Sequence, residues 1–133
     1  MHATPPTLTR VEKLRSIDDA RGSLFEPLDA EGLGQQRNTH VVLTQPGCVR
    51  GNHYHRVGTE VSVVRGPAHI RLREDGILHD LTVPDGEVWR LTIPPGVVHA
   101  YGNPGPAPML MIAFNTELHD PAQPDAVREE ILR

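Results

Sequence analysis

Hydrophobic and polar residues alternate with a period of two along most of this chain, and short clusters of Gly, Pro, Asp and Asn interrupt the alternation. Thr39–Thr44 is a β-branched run that stops at Gln45-Pro46-Gly47, and Glu60–Val64 is a second one; both have the composition of strands packed in a sheet. In Ala68–Arg73, the residues Ala68, Ile70 and Leu72 share one face and His69, Arg71 and Arg73 the other, which assigns the first set to the core. Glu74-Asp75-Gly76 and Pro84-Asp85-Gly86 are turn sequences that bracket a strand over Leu78–Val83. A strand over Glu87–Ile93 follows, with Trp89, Leu91 and Ile93 on one side. Met109–Phe114 is apolar without alternation, as in a strand buried on both faces.

The ends of the chain are less regular. Leu8, Val11, Leu14 and Ile17 are spaced in a way that fits a strand better than a helical turn, and Asp18–Gly22 reads as a turn. Ser23–Glu26 is a short strand stopped by Pro27, and a polar, Gly-rich connection runs from Asp29 to Arg37. After Pro124, Asp125 stands where it can cap a helix and acids follow, so a short C-terminal helix is expected over Asp125–Arg133. Nine or ten short strands without repeats predict one all-β domain over 8–133, an antiparallel sandwich or small barrel, behind a disordered N-terminus of residues 1–7.

Composition agrees with this and narrows the partners. The 133 residues include 13 Pro and 12 Gly, natural for many strands joined by turns. A net charge of −4 gives no global attraction to nucleic acid or to an anionic membrane, so a phosphate-bearing ligand must be held by locally placed arginines. Cys48 is the single cysteine, no apolar run reaches the length of a membrane span, and the start lacks the apolar core of a signal peptide; a cytoplasmic location is the expectation.

The chemistry concentrates between Gly47 and Gly66. His53 and His55 are two apart, so in a strand they point the same way, and Glu60 follows five residues later. Converging imidazoles suit either a metal ion or proton transfer. A second informative stretch, Pro94–Asn103, places His99 and Tyr101 on one face. His40 and His69 read instead as surface or structural histidines.

His53-x-His55, Glu60 and Gly66, with Pro94-x-Gly96-x-x-His99-x-x-x-Asn103, resemble the two motifs of the cupin superfamily. That resemblance implies a jelly-roll barrel (a double-stranded β-helix), all-β apart from the short C-terminal helix. It also implies a divalent metal (Zn, Fe, Mn or Ni) held by His53, His55, Glu60 and His99. Cupins usually place six residues between the glutamate and the closing glycine; here there are five, and a one-residue change can move Glu60 to the other face.

Asp19–Glu26 and Val49–Tyr54 are further similar to the D-x-R-G-x-x-x-E and R-G-x-H-Y segments of dTDP-4-dehydrorhamnose epimerases, and R-G-x-H recurs in dTDP-sugar ketoisomerases. The R-G-N-H-Y-H run, I-P-P-G-x-x-H and Asp120–Asp125 resemble the C-terminal cupin domain of the bifunctional UDP-sugar epimerase-reductases of capsule synthesis. These resemblances imply an epimerase or isomerase acting beside the ketone of a 4-keto nucleotide sugar, in deoxysugar or polysaccharide biosynthesis. His53 is then the catalytic base in a metal-free site; with a metal bound, Tyr101 first, or Tyr54 or Glu60, carries protons. Arg50, Arg21 and Asn103 are the implied substrate-binding residues, with Arg21 reaching into a neighbouring subunit. A homodimer, and a separate reductase partner, are also implied. The alternatives are a metal-dependent cupin dioxygenase and a non-catalytic sugar-binding cupin.

Overall fold

A computed structural model describes residues 9–133; the expected disordered segment 1–7 lies outside the described residues. The elements are β1 (Arg10–Leu14), β2 (Ile17–Asp19), β3 (Gly22–Leu24), α1 (Ala30–Gly34), β4 (Asn38–Thr44), β5 (Val49–His55), β6 (Glu60–Arg65), β7 (Ala68–Glu74), β8 (Ile77–Val83), β9 (Val88–Ile93), β10 (Val98–Gly102), β11 (Met109–Asn115) and β12 (Ala126–Arg128). Two five-stranded antiparallel sheets, in the orders β1-β9-β6-β11-β4 and β12-β5-β10-β7-β8, face each other, and β2-β3 forms a hairpin. This is the antiparallel sandwich that the alternation and the turns predict, in the jelly-roll form that the cupin resemblance implies. No described helix is long and apolar enough to cross a membrane.

The core lies between the sheets, where Val64, Ile70, Leu72, Leu91, Ile93, Tyr101, Met109 and Met111 pack together. Burying one aliphatic side chain such as Ile70 or Leu91 stabilises the fold by about 1.5–3 kcal/mol. The central strand β6 is buried on both faces because Val61, Val63, Val88 and Phe114 form a second cluster on the outer side, covered by Phe25 and Leu28 from the segment after β3. That cover stops short of β4, whose outward Val41 is 70% exposed.

Three expectations change. The C-terminal segment is a strand, not a helix: β12 pairs antiparallel with β5, with Ala126 opposite His55 and Arg128 opposite His53. Nine residues make a marginal helix, and the free edge of β5 offers unpaired backbone groups. Asp125, the expected cap, instead accepts hydrogen bonds from the Val57 and Gly58 amides (2.9 and 2.8 Å). The polar connection before β4 contains the one-turn helix α1, capped by Asp29, whose Oδ1 accepts from the Gly32 amide at 2.7 Å. The described part of the first irregular stretch divides into β1, paired with β9, and β2, which brings the strands to twelve among the described residues.

Candidate active site

The register of β5 against β10 determines what the site contains. Arg50 lies opposite Tyr101, Gly51 opposite Ala100 and His53 opposite His99, so Asn52 is an extra residue with no counterpart. In a regular strand Arg50 and His53, three apart, would point to opposite faces. The bulge puts them on the same one, because Tyr101 and His99 share a face of β10.

Two residue types make this possible. Gly51 has φ +88, and a Cβ there would lie 2.8 Å from the His99 carbonyl oxygen. Asn52 has φ +58, a conformation Asn tolerates better than most residues. Its buried amide holds the C-terminus: Nδ2 donates to the Leu132 carbonyl (2.9 Å), and Oδ1 accepts from the Ile131 and Leu132 amides (2.9 and 3.0 Å).

His53, His55, Glu60 and His99 each offer a ligand atom, and these atoms lie within 4.8 Å of one another. The ring centroids of His53 stand 5.0 Å from His55 and 4.7 Å from His99. Glu60 comes from the opposing sheet, at the start of β6, on the same face as Ser62 and Val64. The shortened spacing to Gly66 therefore leaves the carboxylate facing inward. The glycine ends the strand where a Cβ would lie 2.0 Å from the Pro84 carbonyl oxygen.

The buried Glu60 carboxylate is heavily contacted. Tyr101 donates its hydroxyl to Oε2 (2.7 Å) and Ser62 does the same (2.9 Å), while His55 Nε2 lies 3.1 Å from Oε1. Burial alone would raise this carboxyl, but the charge of His99 and the hydrogen bonds from His55 and Tyr101 hold it well below the ordinary carboxylate range. Burial and the charge of Glu60 push the Tyr101 phenol well above its usual value, so Tyr101 keeps its proton and is not a base in the resting site.

His99 carries the observation that most favours a cation. Its Nδ1 donates to the Val97 carbonyl (3.0 Å), which fixes the tautomer, and its buried Nε2 makes no hydrogen bond although Glu60 Oε2 is 3.3 Å away. A lone pair facing a carboxylate needs a proton or a metal between them. Burial would lower the His99 value, but Glu60 raises it above the ordinary one, the protonic form of the same attraction. His53 is pushed down to about 4 by burial, then by His99, so at neutral pH its lone pair is free. A neutral imidazole is what a metal ion requires, and it is also the form in which a general base accepts a proton. The donor set of three imidazoles and one carboxylate fits a divalent transition metal. His55 Nδ1 lies 3.7 Å from Asp125 Oδ2, an outer carboxylate of the kind that orients ligating histidines.

His53, His55, Glu60 and Tyr101 line one cavity of about 390 Å³ between the sheets, and His99, fully buried, does not reach its surface. Arg50, His53, His55 and Tyr101 come from one sheet, and Glu60 and His40 from the other. His40, expected at the surface, is exposed yet lines this space, on the inward face of β4 with Val42. Tyr54 alternates with His53 and His55 along β5 and belongs to the opposite face, outside the cavity lining. Asn103 is buried in the loop after β10, where Nδ2 donates to the Thr44 and Ala107 carbonyls (both 2.8 Å). Arg21 sits at the β2–β3 turn, 91% exposed and 2.6 Å from Asp19, away from the cavity of its own chain. Asp125 also lines the cavity; its motif was visible in the sequence, but its contact with His55 depends on a long-range pairing.

Comparison with known proteins places the chain. The family described as polysaccharide biosynthesis C-terminal domain matches residues 17–127. The chain belongs to that family. Comparison with curated protein sequences gave no significant match. Among solved structures, the capsular polysaccharide assembling protein CapF from Staphylococcus aureus is 28% identical with a TM-score of 0.67, over 89% of this chain and 34% of CapF. This chain thus spans about a third of CapF. A dTDP sugar isomerase from Desulfovibrio desulfuricans G20 is 21% identical, TM-score 0.74, over 92% of this chain and 83% of that one. The rmlC epimerase of Mycobacterium tuberculosis is 15% identical, TM-score 0.67, over 92% and 69%. At those identities the last two speak for the shared fold, a cupin-type jelly roll.

Proposed function

We propose that this family member is an enzyme acting on a 4-keto nucleotide sugar, as an epimerase or isomerase beside the ketone, in polysaccharide or deoxysugar biosynthesis. The observation that carries the reading is the bulge at Asn52, which sets Arg50 beside the histidine–glutamate cluster in one cavity. A phosphate-binding side chain next to proton- or cation-handling groups is what a charged sugar nucleotide needs. The match to sugar-nucleotide enzymes of the same fold, among them the 3,4-ketoisomerase QdtA in complex with TDP, supports the substrate class.

The cluster is proposed to hold a divalent metal through His53, His55, Glu60 and His99. Such an ion supplies Lewis acidity that stabilises negative charge on a ketone oxygen. The chain does the rest. Arg50 orients the substrate through its diphosphate. The proton beside the ketone passes to a base and the electron pair moves to the carbonyl oxygen; a proton then returns to the same carbon from the opposite face in an epimerase, or in an isomerase to the former carbonyl carbon while the neighbouring hydroxyl gives up its proton and becomes the ketone. Tyr101, kept protonated by Glu60, is the acid. His53 serves as base when it carries no metal; otherwise the cavity imidazoles outside the cluster are His40, on the facing strand, and His119.

A homodimer belongs to the same proposal. Val41, Leu43 and Leu24 are exposed, and Arg21, paired only with Asp19 in its own turn and away from its own cavity, is placed to reach a neighbouring one. So does a separate reductase partner. The metal-dependent dioxygenase remains the second reading, favoured by the three-histidine, one-carboxylate donor set. Turnover separates the two: the protein incubated with UDP- and dTDP-4-keto sugars should yield an epimerised or isomerised sugar by NMR without consuming oxygen. Oxygen uptake with stoichiometric iron, and no sugar product, would reverse the ranking.

A further inference from the structure

The sequence placed two arginines on the substrate diphosphate, and the structure leaves Arg50 as the one of them that lines the cavity of its own chain. A second basic residue takes the other position by a route that no local motif reveals. Arg128 on β12 is the cross-strand partner of His53, and directly opposed residues of an antiparallel pair project from the same face. Arg128 therefore shares the face of Arg50, His53 and His55. The hollow it lines shares Glu117, Pro124, Asp125 and Ala126 with the cavity.

Arg50 is about 7 Å from His53 along β5 once the bulge is counted, and Arg128 about 5 Å from it across the ladder. The two arginines thus start about 8 Å apart on one face, which long side chains can close onto adjacent phosphates. Neither guanidinium makes an ion pair among the described residues. Of the acidic groups around this space, Asp125 has its oxygens occupied by two backbone amides and Glu60 is enclosed with the histidines, while Glu117 lines both hollows and pairs with neither arginine.

We propose that Arg50 and Arg128 flank His53 as the two jaws of a diphosphate subsite, which deepens the nucleotide-sugar reading and rests on it. One structural device assembles both jaws. Asn52 is the bulged residue that turns Arg50 inward, and its side chain and carbonyl hold Glu129, Ile131 and Leu132 immediately after Arg128. The C-terminal strand is thereby part of the binding site.

The test is calorimetric titration of the full chain with UDP and with dTDP, comparing wild type with Arg128→Ala, Arg128→Lys and Arg56→Ala. Arg56 lines the outer hollow but not the cavity. Arg128→Ala is expected to weaken whichever nucleotide binds by about tenfold or more. Arg128→Lys should weaken it less, and Arg56→Ala less than about twofold. Binding by Arg128→Ala should also be less salt-sensitive than wild type, because one of the two charge contacts has gone. Wild-type affinity in Arg128→Ala overturns the subsite and leaves the nucleotide-sugar reading standing. A wild-type protein that binds neither nucleotide removes both. Thermal midpoints check that the variants fold, and Arg128→Lys retains the strand and the charge if Arg128→Ala does not.

Discussion

Replacing Gly51 by alanine isolates the backbone arrangement on which the site depends. Two costs apply there. The residue has φ +88, and a left-handed conformation costs an L-residue about 1–2 kcal/mol. The new Cβ would also lie 2.8 Å from the His99 carbonyl oxygen and 3.2 Å from the Ala100 Cα, so β10 must move, at about 1–3 kcal/mol for overpacking. Gly47 provides the control, since it has φ +77 and a Cβ added there would meet nothing within 4 Å. Gly47→Ala should therefore cost about 1–2 kcal/mol, and Gly51→Ala about 2–5 kcal/mol. Urea unfolding of chelator-treated protein measures both, with a second readout in metal affinity. That affinity should fall for Gly51→Ala alone, because the displaced strand carries His99. Equal destabilisation by the two substitutions, with unchanged metal binding, would refute the account of the bulge.

The other predictions follow from the site. Glu60→Gln keeps the shape but removes the charge that receives Tyr101, Ser62 and His55, and metal affinity measured by competition with a chelator should drop about tenfold or more. Chelation of a loaded wild-type protein should lower stability by about 2.7 kcal/mol when free metal had stood at a hundred times its Kd, and an unchanged urea midpoint would count against a bound ion. His53 gives a pH dependence of definite sign in the metal-free protein. Its folded value of about 4 lies below the ordinary 6.5, so protonation favours the unfolded chain, and stability is lost as pH falls from 6.5 towards 4. Relative to His53→Asn, wild type should lose about 1–2 kcal/mol over that range after allowance for solvent screening; a difference that stays flat or grows with acid would contradict the burial of a neutral imidazole.

Much of the fold was legible because local pattern and tertiary position agree. β7 carries its apolar residues at the strand period, β4 and β6 are β-branched runs, and the apolar character of β6 and β11 on both faces fits their central places in one sheet. The C-terminal segment was illegible because its structure is imposed from a distance: the edge of β5 and the Asn52 amide decide it, and Asp125–Arg133 alone reads as a helix. In the site, the spacing of His53, His55 and His99 brought those residues together as expected. Period two also contained the placement of Tyr54, since a residue between two cavity histidines must face away. Gly51-Asn52 inside a strand was a visible bulge signal, and it explains why Arg50 accompanies His53. Arg128 carried no such signal, because its neighbourhood depends on which strand β12 joins.

The nucleotide-sugar account is tested most directly by solvent exchange. The protein is incubated in D₂O with UDP- and dTDP-4-keto sugars, and NMR follows the proton beside the ketone. Enzyme-dependent deuterium incorporation at that carbon with at least one of these sugars, slowed at least about a hundredfold in His53→Ala, is the predicted result. No exchange above the uncatalysed rate with any of them, or an unimpaired His53→Ala variant, would contradict it.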